Sequence, residues 1–356
     1  MKKSLIDYYR ESLTAVFEKF SIENYNSNNL FAEGETKNII IRLLGKFGKE
    51  ELYQELEYSD MAPPDDRYDH TLSAFLLGLT LRNEMHIDMR NLPHVVSKNS
   101  QDNFYYFWIL ICLYHDCAYY IENHISAEDC PTVEAFVKKY RIKNSFLEES
   151  EYKELFTNYY NYRINRWECI DHGIAGALLL YDRLFNLYEK NKENPEKYKY
   201  LSFSKSFKKH ILLVANTIAR HNIYTVDEDD IEGVEYYKHY NLNELIQSSN
   251  RFSKVTLDEE SENEKIRLLF LLELVDTIEP LKTIKQKKDK DDVSLEKVSI
   301  EFKYKDNQFV INYPNNYVNL YNSNISDWLG VILRCEGSTY SFEFERIKKK
   351  ELICIG

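Results

Sequence analysis

Six residues of this chain have the side chains and the surroundings to hold metal ions: His70, His115, Asp116, His172, His221 and Asp276. Each lies on, or at the end of, a strongly apolar segment, and apart from the adjacent pair they recur about every 45 to 56 residues. A histidine or aspartate in such a place needs a partner, because an unpaired polar or charged group in a dry site costs several kcal/mol or more. The partner is either a metal ion or a hydrogen-bonded polar core. Imidazole and carboxylate without thiolate suit Fe, Mn, Zn, Co or Ni and disfavour a structural zinc site. Six side chains also exceed the four that one tetrahedral ion requires. Two ions sharing Asp116 would fit the set, and such a pair lowers the pKa of a shared water toward about 7, making it a nucleophile for phosphorus.

Stepping outward, the elements that must carry these residues read as helices. Leu5, Tyr9, Leu13, Val16, Phe17 and Phe20 recur at helical spacing near the start, and a second helix is expected over residues 36–58, broken near Gly48. Residues 61–66 form a loop with Pro63 and Pro64, after which a helix from Arg67 carries His70 beside Ser73, Ala74 and Leu77. The most apolar run, Phe107-Trp108-Ile109-Leu110-Ile111-Cys112-Leu113, leads into His115-Asp116 within a predicted helix over 103–122. Residues 123–166 are polar and aromatic, and suit one or two short inserted helices. A helix over 169–190 has His172 in its first turn, one over 207–221 has His221 at its end, and one over 264–277 ends at Asp276. The acidic run 227–230 and the charged run 282–292 read as a solvated loop and a linker.

Beyond the linker the period changes from helical to alternating. Val298 to Tyr304 and Phe309 to Tyr313 form a predicted hairpin, followed by a short helix over 325–335 and a strand through Tyr340-Ser341-Phe342-Glu343-Phe344. The expected fold class is therefore mainly α, a helical bundle with a small C-terminal α+β appendage. The expected division is an N-terminal helical extension (1–64), a metal-binding helical domain (65–285, with an insertion at about 123–166) and the appendage (293–356).

Composition narrows the possible functions. The 356 residues carry a formal net charge of −12, which opposes an extended nucleic-acid groove but leaves room for a small phosphorylated ligand whose charge is met by metal ions. No apolar stretch approaches the roughly 20 residues that span a bilayer, and Asp7 interrupts any signal-peptide core, so a cytoplasmic protein is expected. The cysteines (112, 117, 130, 169, 335, 354) show no Cys-x-x-Cys pair and read as reduced core thiols.

The ordered series resembles the signature of the HD-domain superfamily of metal-dependent phosphohydrolases. Arg67-x-x-His70 resembles its opening motif and His115-Asp116 its defining pair. Asp171-His172 with Gly176, and Ala219-Arg220-His221-Asn222, resemble the later histidines of its two-metal branch, and Leu274-Val275-Asp276 its closing aspartate. The resemblance covers about residues 65–280. It implies one metal on His70, His115, Asp116 and Asp276, and another on Asp116, His172 and His221, with His115 and Asp116 at the catalytic centre. It also implies two divalent transition metals, Fe or Mn ahead of Zn, Ni, Co or Mg, and a phosphorylated small-molecule substrate such as a nucleotide or cyclic dinucleotide.

Arg67 and Arg220 are candidate phosphate contacts, since a guanidinium fork suits phosphate oxygens; a salt bridge to a neighbouring carboxylate is the plainer role for each. Asp116 is followed by Cys117-Ala118-Tyr119-Tyr120, which departs from the cyclic-di-GMP branch with its Gly-Tyr-Pro element and nearby lysine. The pattern is closer to the subgroup that hydrolyses cyclic di-AMP. It is also similar to the diiron oxygenases related to myo-inositol oxygenase, so an oxygenase and a non-catalytic nucleotide-binding module stand as alternatives. Glu273, three residues before Asp276, is a candidate for supporting the ligands, and His86, His94, His124, His210 and His239 are expected on the surface or in loops, away from them.

Overall fold

A computed structural model describes residues 3–23, 30–32, 34–50, 52, 65–87, 89, 92–93, 100–196, 206–223, 231–242, 244–245, 264–281, 295–303, 308–313, 331–336 and 339–344. The architecture is mainly α with a small antiparallel sheet. In chain order the elements are β1 (Lys3–Ser4), α1 (Leu5–Lys19), α2 (Glu35–Lys46), α3 (Asp65–Glu84), α4 (Ser100–Tyr114) and α5 (Tyr119–His124). Then come α6 (Val133–Lys139), α7 (Lys153–Trp167), α8 (His172–Glu193), α9 (Phe207–Arg220), α10 (Ile231–His239) and α11 (Glu264–Ile278). The strands β2 (Ser299–Lys303), β3 (Gln308–Asn312), β4 (Val331–Glu336) and β5 (Thr339–Phe344) follow.

Burial follows the hydrophobic pattern. Helix α1 buries Leu5, Ile6, Tyr9, Leu13, Val16 and Phe17, one stripe of an amphipathic helix, and Ser4 caps its start by accepting from Asp7 N at 3.3 Å. Helices α3, α4 and α11 are buried nearly all round along their middle turns and form the centre. Every residue from Phe104 to Tyr114 is buried, and so is every residue from Leu268 to Val275. Helix α3 packs on α4 and α11, and α8 and α9 pack along each other against the same centre.

Two departures from the sequence reading affect the site. The helix expected over 103–122 is broken: α4 stops at Tyr114, and His115-Asp116 occupy the turn before α5. There Cys117 N and Tyr119 N reach back only three residues, to Tyr114 O and Asp116 O at 3.2 and 3.0 Å. The insertion holds the short α6 and two 3-10 turns, but also the 15-residue α7, longer than the short helices expected.

At the C-terminal end the hairpin forms as expected, with Ile300 opposite Ile311. Residues 331–335, expected at the end of a helix, instead lie in strand β4, antiparallel to β5. Val331 and Ile332 are β-branched and Leu333 is apolar, and the Gly337-Ser338 pair before Tyr340 is a turn signal that outweighs helix propensity. The sheet order is β1-β2-β3-β5-β4, so its edge strand comes from the opposite end of the chain: Lys3 pairs with Ile300 and Ser4 with Ser299. The sheet meets the helices where Leu5 N donates to Val298 O at 2.8 Å and the Tyr313 hydroxyl donates to Ile278 O at 2.7 Å.

The N-terminal part of the second expected helix forms as α2, and Gly48 follows it at φ 61°. Residues 53–58 of that helix, the acidic run 227–230 and the linker 282–292 lie outside the described residues. Among the described residues no helix is long and apolar enough to cross a membrane. Cys112, Cys117, Cys130 and Cys169 are free thiols.

Candidate metal centre

The six residues converge from helices α3, α8 and α11 and from the turns that follow α4 and α9. Their donor atoms form two groups, His70, His115, Asp116 and Asp276 in one and Asp116, His172 and His221 in the other, each within 4.8 Å across. Five of the six are buried, and Asp276 is partly exposed. Asp116 belongs to both. Its Oδ2 lies 3.5 Å from His70 Nε2, and its Oδ1 lies 3.3 Å from His172 Nε2. Asp276 Oδ1 completes the first group, 3.6 Å from His70 Nε2 and 3.5 Å from His115 Nε2.

Local structure aims each ring. His115 Nδ1 donates to Cys112 O at 2.9 Å and His221 Nδ1 to Ile218 O at 2.6 Å, each a carbonyl three residues back near a helix end. His70 Nδ1 donates to Glu279 Oε2 at 2.7 Å, and His172 Nδ1 donates to Glu122 Oε2. Thus in each group one imidazole is held by a carboxylate and one by the main chain, and all four Nδ1 atoms face acceptors. The proton therefore sits on Nδ1, and the Nε2 lone pairs point inward.

That arrangement suits a cation, and Asn222 Nδ2 also lies 2.9 Å from His172 Nε2. His70 Nε2 lies 3.1 Å from His115 Nε2, and His172 Nε2 lies 3.3 Å from His221 Nε2. Two facing lone pairs repel unless a proton or a metal ion lies between them. Without metal the proton takes this place. Burial works against charge on His70, but hydrogen bonds to Asp276 and Glu279 outweigh it and raise its pKa to about 9. The same balance, with Asp116 and Glu122, raises His172 to about 9. Burial, helped by the charge on His172, pushes His221 down to about 3, so the His172–His221 pair keeps one neutral donor. Ligand atoms 3.1–3.6 Å apart also match the edges of a coordination shell with metal–nitrogen bonds of about 2.0–2.1 Å. The donor set fits a divalent ion in each group.

The outer supports extend well past the ligands. Glu279 Oε1 accepts from Ser73 Oγ and, at 2.8 Å, from Leu281 N, while Ser73 Oγ lies 2.9 Å from the Tyr9 hydroxyl. Glu122 Oε1 accepts from Arg163 Nη2 on α7. Asp171 caps α8 by accepting from Ile174 N at 2.7 Å, which fixes the turn that carries His172. Two glycines let the elements close on the site. A Cβ at Gly176 would lie 2.8 Å from Tyr114 O, and one at Gly173 would lie 3.0 Å from His221 Nδ1.

Arg67 lies on α3 three residues before His70, with its side chain outside the described residues. Arg220 is fully buried beside His221 and its guanidinium sits 4.9 Å over the Tyr152 ring. Glu273 is buried on α11, but Glu279 is the acid that holds His70. His124 is exposed and stacked on Tyr120 at 4.1 Å. His210, expected near the surface, is instead buried edge-on to Phe107 at 5.9 Å, where burial lowers its pKa to about 4. Its place on the apolar stripe of α9, one turn before Val214, is the signal for that.

Glu122 and Glu279 were not found by sequence reasoning. The available signals were an acid two turns past the His-Asp pair, and an acid before Pro280 at the end of an apolar helix. No family model, curated protein or solved structure matches this chain.

Proposed function

We propose that this chain is a metal-dependent phosphohydrolase that holds two divalent transition metals, Fe or Mn ahead of the others, and cleaves a phosphoester bond of a nucleotide or cyclic dinucleotide. The observation that carries this reading is the Asp116 carboxylate, with one oxygen facing each donor group. One shared carboxylate between two nitrogen-rich positions suits a pair of ions with a common ligand. When bound, such ions supply Lewis acidity toward phosphoryl oxygens and an activated water. The order of the six residues, which resembles the HD-domain superfamily, supports the same reading.

The chain's own residues then divide the work. Glu279 and Glu122 hold His70 and His172 with Nε2 presented, so the donor set is preorganised. Asp276 is the most open member of the set, and substrate approaches from its side. Tyr119 is partly exposed with its ring 4.7 Å from that of His172, offering a flat face to a base beside the second position. Arg67, on the His70 helix, is proposed to contact phosphate. Arg220, buried next to His221 with its guanidinium over the Tyr152 ring, contributes positive charge near the centre.

The experiment is elemental analysis of the purified protein, then a nucleotide and cyclic-dinucleotide hydrolysis screen with Mn and Fe, in air and under anaerobic conditions. Two ions per chain and hydrolysis independent of oxygen are expected, both lost in Asp116→Ala. Turnover retained in that variant sinks the reading. Substrate loss that requires oxygen replaces it with the oxygenase alternative.

A further inference from the structure

We infer that Arg163, acting through Glu122, is a positioning residue that decides whether the second metal position fills. The inference rests on the two-metal reading above. Arg163 stands on α7, inside the insertion and away from the bundle centre. Its Nη2 donates to Glu122 Oε1, and its Nε lies 3.9 Å from Asp171 Oδ2. Glu122 uses its other oxygen, Oε2, to hold His172 Nδ1, and Asp171 caps the helix whose first residue is His172. A single guanidinium thus steadies both the carboxylate that orients the ligand ring and the carboxylate that starts the ligand's helix.

The charges explain why a cation is needed there. Asp171 is fully buried, and Glu122 and Arg163 are largely so, with side chains 15% and 19% exposed. Without Arg163 the two neighbouring acids repel each other in a poorly solvated place, and Glu122 gains more from turning to water than from holding His172. The first position is built differently. Its orienting acid, Glu279, is held by neutral donors, the Ser73 hydroxyl and Leu281 N. Loss of Arg163 therefore acts on one position and spares the other. A fork donor reaching two acids is a task for arginine, which lysine performs only in part.

The test uses the full chain loaded with Mn(II), with bound metal counted by elemental analysis and its environment read by electron paramagnetic resonance. Wild type is expected to hold two magnetically coupled ions. Arg163→Ala is expected to hold one, with the signal of an isolated Mn(II), and to bind the second about 10–100-fold more weakly. Arg163→Lys should fall between them. Glu122→Ala should match Arg163→Ala, and the double variant should lose nothing more, since both changes remove one support. Thermal melts check folding, and Glu122→Gln, which keeps the shape but removes the charge that Arg163 holds, carries the same test if Arg163→Ala does not fold. The inference is overturned if Arg163→Ala keeps both ions at wild-type affinity, or loses both together. Wild type that binds no ion overturns the two-metal reading itself, a result distinct from either.

Discussion

Glu279 Oε2 accepts from His70 Nδ1 at 2.7 Å across 209 residues of sequence, and its second oxygen is held by Ser73 and Leu281. This acid is fully engaged and buried, so its removal takes the acceptor from His70 Nδ1 and Leu281 N and leaves Ser73 with Tyr9 alone. Glu279→Ala is expected to weaken metal at the first position by about 10–100-fold and to lower stability by about 3 kcal/mol. Metal titration and urea unfolding measure the two effects. Unchanged affinity at the first position would show that Glu279 serves the fold alone.

The raised pKa values of His70 and His172 set a pH dependence. Both folded values, about 9, lie above the ordinary 6.5, so in metal-free protein their contribution to stability is complete below pH 6.5 and is lost as pH climbs through 9. Metal must displace those same protons. Affinity is therefore expected to rise with pH across this window, by up to about tenfold per displaced proton per pH unit. Chemical denaturation at pH 6, 7.5 and 9, with and without Mn, should show the metal-free protein weakening as the loaded one gains.

Gly176 lets α8 cross the end of α4, where a Cβ would sit 2.8 Å from the Tyr114 carbonyl. That carbonyl belongs to the residue before His115 and cannot move without moving the His-Asp turn. Gly176→Ala is expected to cost about 1–3 kcal/mol and to reduce metal occupancy at both positions, because Asp116 shifts with the turn. Gly34→Ala serves as the contrast. Nothing lies within 4 Å of its would-be Cβ, so its cost comes only from its φ of +80° and spares the metals.

Tyr313 ties the sheet to the end of α11 through its hydroxyl and Ile278 O, next to Glu279. Tyr313→Phe is expected to cost about 1 kcal/mol and to speed hydrogen exchange in β2 and β3. Exchange unchanged in those strands would place the anchor elsewhere.

The ligands were legible because each is a polar residue on, or at one end of, an apolar helical run, a conflict that short sequence windows show well. Their supports were not. Glu122 and Glu279 lie among ordinary acids, and only tertiary packing separates them from Glu273, which the sequence singles out as readily. His115-Asp116 was expected inside a helix because the apolar run continues past it to Ile121. The break comes from main-chain bonds to Tyr114 O and Asp116 O, which no residue type announces. The hairpin was legible from its alternation, while β4 was hidden by a run short enough to suit either state. Strand β1, two residues long, left no local signal because its partner lies at the far end of the chain.

That pairing has a consequence for how the molecule comes into being. Lys3 leaves the ribosome about 300 residues ahead of Ile300, its ladder partner. At about 5–20 residues per second, the nascent chain waits roughly 15–60 s before that edge can close. Through this interval Ser4 and the head of α1 lack their backbone partners on β2 and at Val298, while α3 and α4 are already out of the exit tunnel. Packing among the helices that precede α11 therefore begins first, and pairing β1 with β2 is a late, high-contact-order event in the folding of this protein.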